Sequence, residues 1–236
     1  MRAIGRQSLL LLALLLGACA NLPGEAARGT PAAPVAMASF AALSTLGVPL
    51  GSAVAVAPDR LLTNAHVLPP GVTSVLARRG DGRMATEAVV LGRSARLDLA
   101  VLGVAPGIFL AATVEAAPPV PGASIWAIGA PAAGPAIARG RIEQSGLHLT
   151  GRGPGFTARI GALMGYSGGP GIDAEGRIRG LVTALVRPGA APVLAALTGL
   201  DLDGLSRNGE FREVFFLSID VAMAESERIA RNRGQD

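Results

Sequence analysis

Short apolar runs, each closed by glycine, proline or aspartate, recur along most of this 236-residue chain. Ser52 to Ala57 ends at Pro58-Asp59, and Arg60 to Thr63 follows directly. Thr73 to Ala77 and Glu87 to Gly92 flank the turn Gly80-Asp81-Gly82, and Leu99 to Gly103 comes next. After the Pro-rich stretch Ala116 to Gly122, the pattern resumes with Ser124 to Gly129, Ala138 to Gln144 and Gly155 to Ala158. Gly171 to Asp173 and Arg177 to Val186 form a hairpin about Ala174-Glu175-Gly176, and Phe215 to Leu217 is a last run. Runs of this length fit strands better than helices, and their spacing indicates a β-barrel or sandwich. The 32 Gly and 17 Pro supply the turns, and with only 3% aromatics the core must be built from Ala, Val, Leu and Ile.

The two ends read differently. Met1-Arg2 and Arg6 precede the leucine-rich segment Leu9 to Leu16, which is too short to span a bilayer. It ends in Leu16-Gly17-Ala18-Cys19, and that run resembles the lipobox of bacterial lipoproteins. The resemblance implies cleavage after residue 18, acylation of Cys19 and a lipid anchor in an exported cell-envelope protein facing the periplasm. An ordinary signal peptide also fits the small residues here. Cys19 is the only cysteine, so no internal disulfide can hold the fold. Residues 19–38 read as an Ala/Pro/Gly-rich tether, with the domain over 39–232. Residues 187–212 read as a long loop, and Ser218 can cap a final helix over 219–231. All 21 cationic side chains are arginine, and they are scattered without aromatic interleaving, so a nucleic-acid surface is not indicated.

Three local patterns carry chemistry when taken together. They are Asn64-Ala65-His66, Asp98-Leu99-Ala100-Val101 and Gly165-Tyr166-Ser167-Gly168-Gly169-Pro170. A serine hydroxyl is a weak nucleophile and needs a base to take its proton. Neutral imidazole can serve, and a buried carboxylate can fix its tautomer and stabilise the imidazolium. Glycines beside the serine permit a sharp turn that aims backbone N–H groups at a developing oxyanion.

These three patterns resemble the signature set of the chymotrypsin/trypsin family, in the compact disulfide-free form of bacterial HtrA/Deg-type proteases. The resemblance implies an all-β fold of two six-stranded antiparallel barrels, about 40–115 and 120–217, with a C-terminal helix. It implies a serine endopeptidase without a cofactor or metal, acting on protein or peptide substrates. His66 would be the general base, Asp98 its orienting carboxylate and Ser167 the nucleophile. The amides of Gly165 and Ser167 would form the oxyanion hole. Tyr166 departs from the family, which carries Asp or Asn before the serine; the ion pair that Asp makes with a freshly cut N-terminus is therefore not expected here.

By the same resemblance, Gly161, Val182, Thr183 and Ala184 line the primary pocket, and none is acidic. Small or medium apolar side chains are the expected occupants. His148, Arg96 and Glu143 read as surface groups and Trp126 as a core residue. Two other readings remain: a protease-fold binding protein without activity, and an esterase. The chain order His, Asp, Ser opposes the α/β esterase pattern.

Overall fold

A computed structural model describes residues 29–131, 135–162, 164–186 and 212–233. The leader, Cys19 and all but the last residue of the loop expected over 187–212 lie outside the described residues, and that last residue, Arg212, belongs to a strand. Six strands form the first closed barrel: β1 (Phe40–Thr45), β2 (Val48–Ala57), β3 (Arg60–Asn64), β4 (Ser74–Arg79), β5 (Ala85–Ser94) and β6 (Leu99–Gly103). Their order around the barrel is β1-β2-β3-β6-β5-β4. The second closed barrel is made of β7 (Ser124–Gly129), β8 (Ala136–Leu149), β9 (Gly153–Ile160), β10 (Pro170–Ile172), β11 (Ile178–Leu185) and β12 (Arg212–Ser218). Its order is β10-β11-β12-β9-β8-β7. All pairings between these strands are antiparallel, as in a chymotrypsin-like fold.

Alternate residues of one strand serve two different cores. Ala53 and Ala55 fill the first barrel, whereas Val54 between them joins the interface between the barrels. Leu61, Ala100 and Leu102 face the first interior, while Leu62, Leu99 and Val101 face the interface. There they meet Trp126, Ile128, Ile172 and Leu181 of the second barrel. Strands buried on both faces read as unbroken apolar runs rather than alternation. Alanines pack much of the first interior, and the stacked pair Phe156–Phe216, 4.9 Å apart, anchors the second.

Two elements differ from the sequence reading. Ala33–Ala38, within the segment read as tether, is a short helix α1 with Pro34 in its first turn. Ala32, Val35 and Ala36 are buried in the interface cluster, which orders a stretch whose composition alone suggests flexibility. Strand β8 runs for 14 residues, longer than expected. Register shifts at Ile142/Gln144 and Ser145/Leu147 break the two-residue period that would mark it.

The final helix α2 (Ile219–Arg233) lies against both barrels through Ile219, Ala222 and Ile229. Its buried Glu225 takes Arg228 at 2.8 Å and Arg96 at 2.7 Å. The hydrogen bond from Arg228, with smaller contributions from Ser94 and Arg96, brings the carboxyl down to about 2 against the burial that opposes it. Glu225 therefore stabilises the fold above pH ~4.5, and that contribution is lost as the pH falls towards 2. Glu225→Ala is expected to lower the unfolding free energy by ~2 kcal/mol at pH 7, read from a chemical denaturation curve. The deficit should shrink at pH 3.

Candidate active site

Strand register brings His66 and Asp98 together. Asn64, the last residue of β3, pairs with Leu99, the first of β6. The residue just after one strand end therefore lies beside the residue just before the other. His66 sits in a 3-10 turn over Ala65–Val67, and Asp98 occupies the turn leading into β6 with φ +49°. That left-handed conformation is uncommon outside glycine but tolerated by Asp. Backbone bonds hold it there. The Asp98 carbonyl accepts from the Ala65 amide at 2.9 Å and from Asn64 Nδ2 at 3.1 Å.

The Asp98 carboxylate is 8% exposed and grips His66 twice. Oδ1 accepts the His66 amide at 2.9 Å, and Oδ2 lies 2.6 Å from His66 Nδ1. A carboxylate can only accept, so Nδ1 carries the proton and Nε2 keeps a lone pair. Burial, and then the nearby Arg152 cation, lower the imidazole from 6.5 to about 4. The ring is thus a neutral acceptor across ordinary pH.

Ser167 comes from the second barrel, on a loop fastened to the first. Ser52 of β2, fully buried, makes three of the fastenings. Its hydroxyl donates to the Gly165 carbonyl at 2.7 Å and accepts from the Ala130 amide at 3.0 Å. Its own amide donates to the Ser167 carbonyl at 3.0 Å. Gly168, at φ +81°, presses so closely on the Ser52 carbonyl and Thr63 hydroxyl that no side chain fits. Behind the loop, the Gly168 amide donates to the Val182 carbonyl, and the Val182 amide donates to Gly169. The Ser167 side chain is half-buried, and its hydroxyl makes no hydrogen bond to a described residue. The amides of Gly165 and Ser167 likewise donate to no described residue.

Tyr166 fills the space beneath this loop. It is 4% exposed, its ring lies flat over Gly129, and it belongs to the core of the second barrel. Burial pushes its phenol up to about 12, so it remains neutral. The loop is thus supported by an aromatic side chain where an ion pair would require a charge.

The other expected residues differ in their exposure. Gly161 is exposed with open space around it. Val182 is buried behind the Ser167 loop, and Ala184 is half-buried. The Thr183 hydroxyl accepts from Asn64 Nδ2 at 3.2 Å and donates to the Leu181 carbonyl at 3.0 Å, which ties β11 to the His66 turn. Trp126 is 8% exposed with Arg139 stacked 5.3 Å above its ring, and His148 is exposed on β8. Arg96 and Glu143 are paired with Glu225 and Arg159. No metal-ligating cluster occurs among the described residues. Ser52 and Arg152 are the participants that the sequence did not reveal, since an isolated serine or arginine carries no local pattern.

Two barrels meeting at a His–Asp pair and a glycine-bounded serine define the chymotrypsin-like class. Comparison with protein families agrees: residues 51–181 match the trypsin-like peptidase domain. The chain belongs to this family. It is 34% identical over 143 residues to the serine proteases MT3772 and Rv3671c of two Mycobacterium tuberculosis strains. That match takes in 56% of this chain and 35% of theirs, so the chain spans about a third of the length of those relatives. The crystal structure of the Rv3671c protease in its inactive form aligns with a TM-score of 0.62 at 25% identity, covering 84% of this chain and 92% of that one. The HtrA-type protease AlgW, solved with a decapeptide, has the same fold, with a TM-score of 0.66 at 23% identity over 85% of this chain and 67% of that one.

Ser52→Ala removes an acceptor and a donor that are both buried. A loss of about 1–3 kcal/mol in stability is expected from denaturant unfolding. Gly129→Ala should be at least as costly, because a methyl group would displace the Tyr166 ring.

Proposed function

We propose that this chain is a serine endopeptidase that cleaves protein or peptide substrates through His66, Asp98 and Ser167. The observation that carries the reading is the 2.6 Å contact between His66 Nδ1 and Asp98 Oδ2, which leaves Nε2 as the acceptor. In this reading His66 Nε2 takes the proton from Ser167 Oγ as the oxygen attacks the substrate carbonyl. Asp98 stabilises the imidazolium. The amides of Gly165 and Ser167 donate to the oxyanion. Collapse of the tetrahedral intermediate breaks the C–N bond, and His66 returns its proton to the leaving amine. Water, deprotonated by His66, then hydrolyses the Ser167 ester and frees the serine. No charged switch is needed at Tyr166, because its ring already supports the loop from below. The solved relative with a bound decapeptide supports a peptide-type substrate.

The expected pocket of Gly161, Val182, Thr183 and Ala184 carries no acid, which favours small or medium apolar side chains over Arg or Lys. The Leu16-Gly17-Ala18-Cys19 run supports export to a bacterial envelope and a lipid anchor on Cys19. Metabolic labelling with an alkynyl palmitate in a bacterial host should mark the wild type and not Cys19→Ser. Equal labelling of both would remove the anchor from the account.

A fluorophosphonate probe tests the serine itself. The wild type is expected to be labelled at Ser167 at pH 7–8, Ser167→Ala not at all, and His66→Gln at least 100-fold more slowly. Failure of the wild type to react would favour the binding-protein reading.

A further inference from the structure

The turn between β8 and β9 reads Gly151-Arg152-Gly153 and reaches across to the first barrel. The Arg152 amide closes it on the Leu149 carbonyl at 2.9 Å. Gly153, at φ +83°, lies so close to the Leu97 side chain that a Cβ would collide with it. Leu97 precedes Asp98, is 1% exposed and belongs to the interface core. The turn is therefore seated against the residue next to the carboxylate. From this seat Arg152 Nη1 donates to Asp98 Oδ2, the oxygen that also receives His66 Nδ1.

Resting on the endopeptidase reading above, we propose that Arg152 is a positioning residue for the triad: from the second barrel it fixes the Asp98 carboxylate and sets a permanent positive charge beside His66. Two consequences follow from one contact. The carboxylate is held from both sides, so its second oxygen cannot turn away from the imidazole. The guanidinium also opposes protonation of the ring, because a like charge a few ångströms away disfavours the charged form. Among the described residues, Asp98 and Arg152 are the charged groups that face the imidazole. Arg93 of β5 spends its guanidinium on the carbonyls of Leu68, Pro69 and Val72 in the segment after the His66 turn. Burial already keeps His66 neutral, and Arg152 acts in the same direction. The predicted outcome is a general base that stays available well into acid.

Proton NMR of the two histidines reads this without a substrate, with His148→Gln assigning the second signal. In the wild type, His66 is expected to titrate far below the ordinary imidazole range. Arg152→Gln should raise its midpoint by about one pH unit or more, a tenfold gain in imidazolium at a given pH between the midpoints. Arg152→Lys, which keeps the charge, should stay near the wild type. The pH profile of fluorophosphonate labelling should shift with the same sign in Arg152→Gln. An Arg152→Gln midpoint equal to that of the wild type would overturn the proposal, as would an equal rise in Arg152→Lys and Arg152→Gln. Absence of labelling at every pH would instead contradict the nucleophilic role of Ser167, while the NMR midpoints still decide the role of Arg152.

Discussion

One buried carboxylate organises this molecule. Asp98 receives the Ala65 amide and the Asn64 side chain on its carbonyl, and the His66 amide, the His66 ring and Arg152 on its side chain. An ionised carboxylate out of water is costly unless it is paired and hydrogen-bonded, and here every donor is supplied by a fixed element. The register of β3 on β6 brings the first four, and the β8–β9 turn brings the fifth. The residue also sits at a positive φ, a conformation that the surrounding bonds hold in place. The imidazole is oriented because the carboxylate is.

The same logic governs the loop of Ser167. It belongs to one barrel and is fastened to the other through Ser52, so the relative position of the barrels sets the geometry between Ser167 and His66. That position rests on a shared apolar cluster, to which β-strands of both barrels contribute side chains. Without disulfides among the described residues, burial on both faces of the strands carries this load. The C-terminal helix and α1 close the ends of the interface with further apolar side chains.

Much of this was legible in the sequence, for physical reasons. Unbroken apolar runs such as Ser52 to Ala57 and Leu99 to Gly103 mark strands buried on both sides, and the turn residues between them mark their ends. The His, Asp and Ser patterns are local, so a single chain displays them. Less legible was whatever depends on distant contact. Helix α1 is ordered by burial of Val35 and Ala36, not by its own propensity. The bulges of β8 erase the two-residue period. Ser52 and Arg152 acquire their roles only when the barrels meet, and Tyr166 is explained only by the ring-sized gap above Gly129.

The proposed activity of this arrangement is cleavage of peptide bonds. Its most direct test is incubation of an unfolded, reduced and alkylated polypeptide with the wild type and with Ser167→Ala, followed by mass spectrometry of the fragments. Discrete new termini are expected with the wild type and none with Ser167→Ala. Cleavage by both proteins, or an intact polypeptide beside a wild type that hydrolyses simple esters, would contradict the proposal.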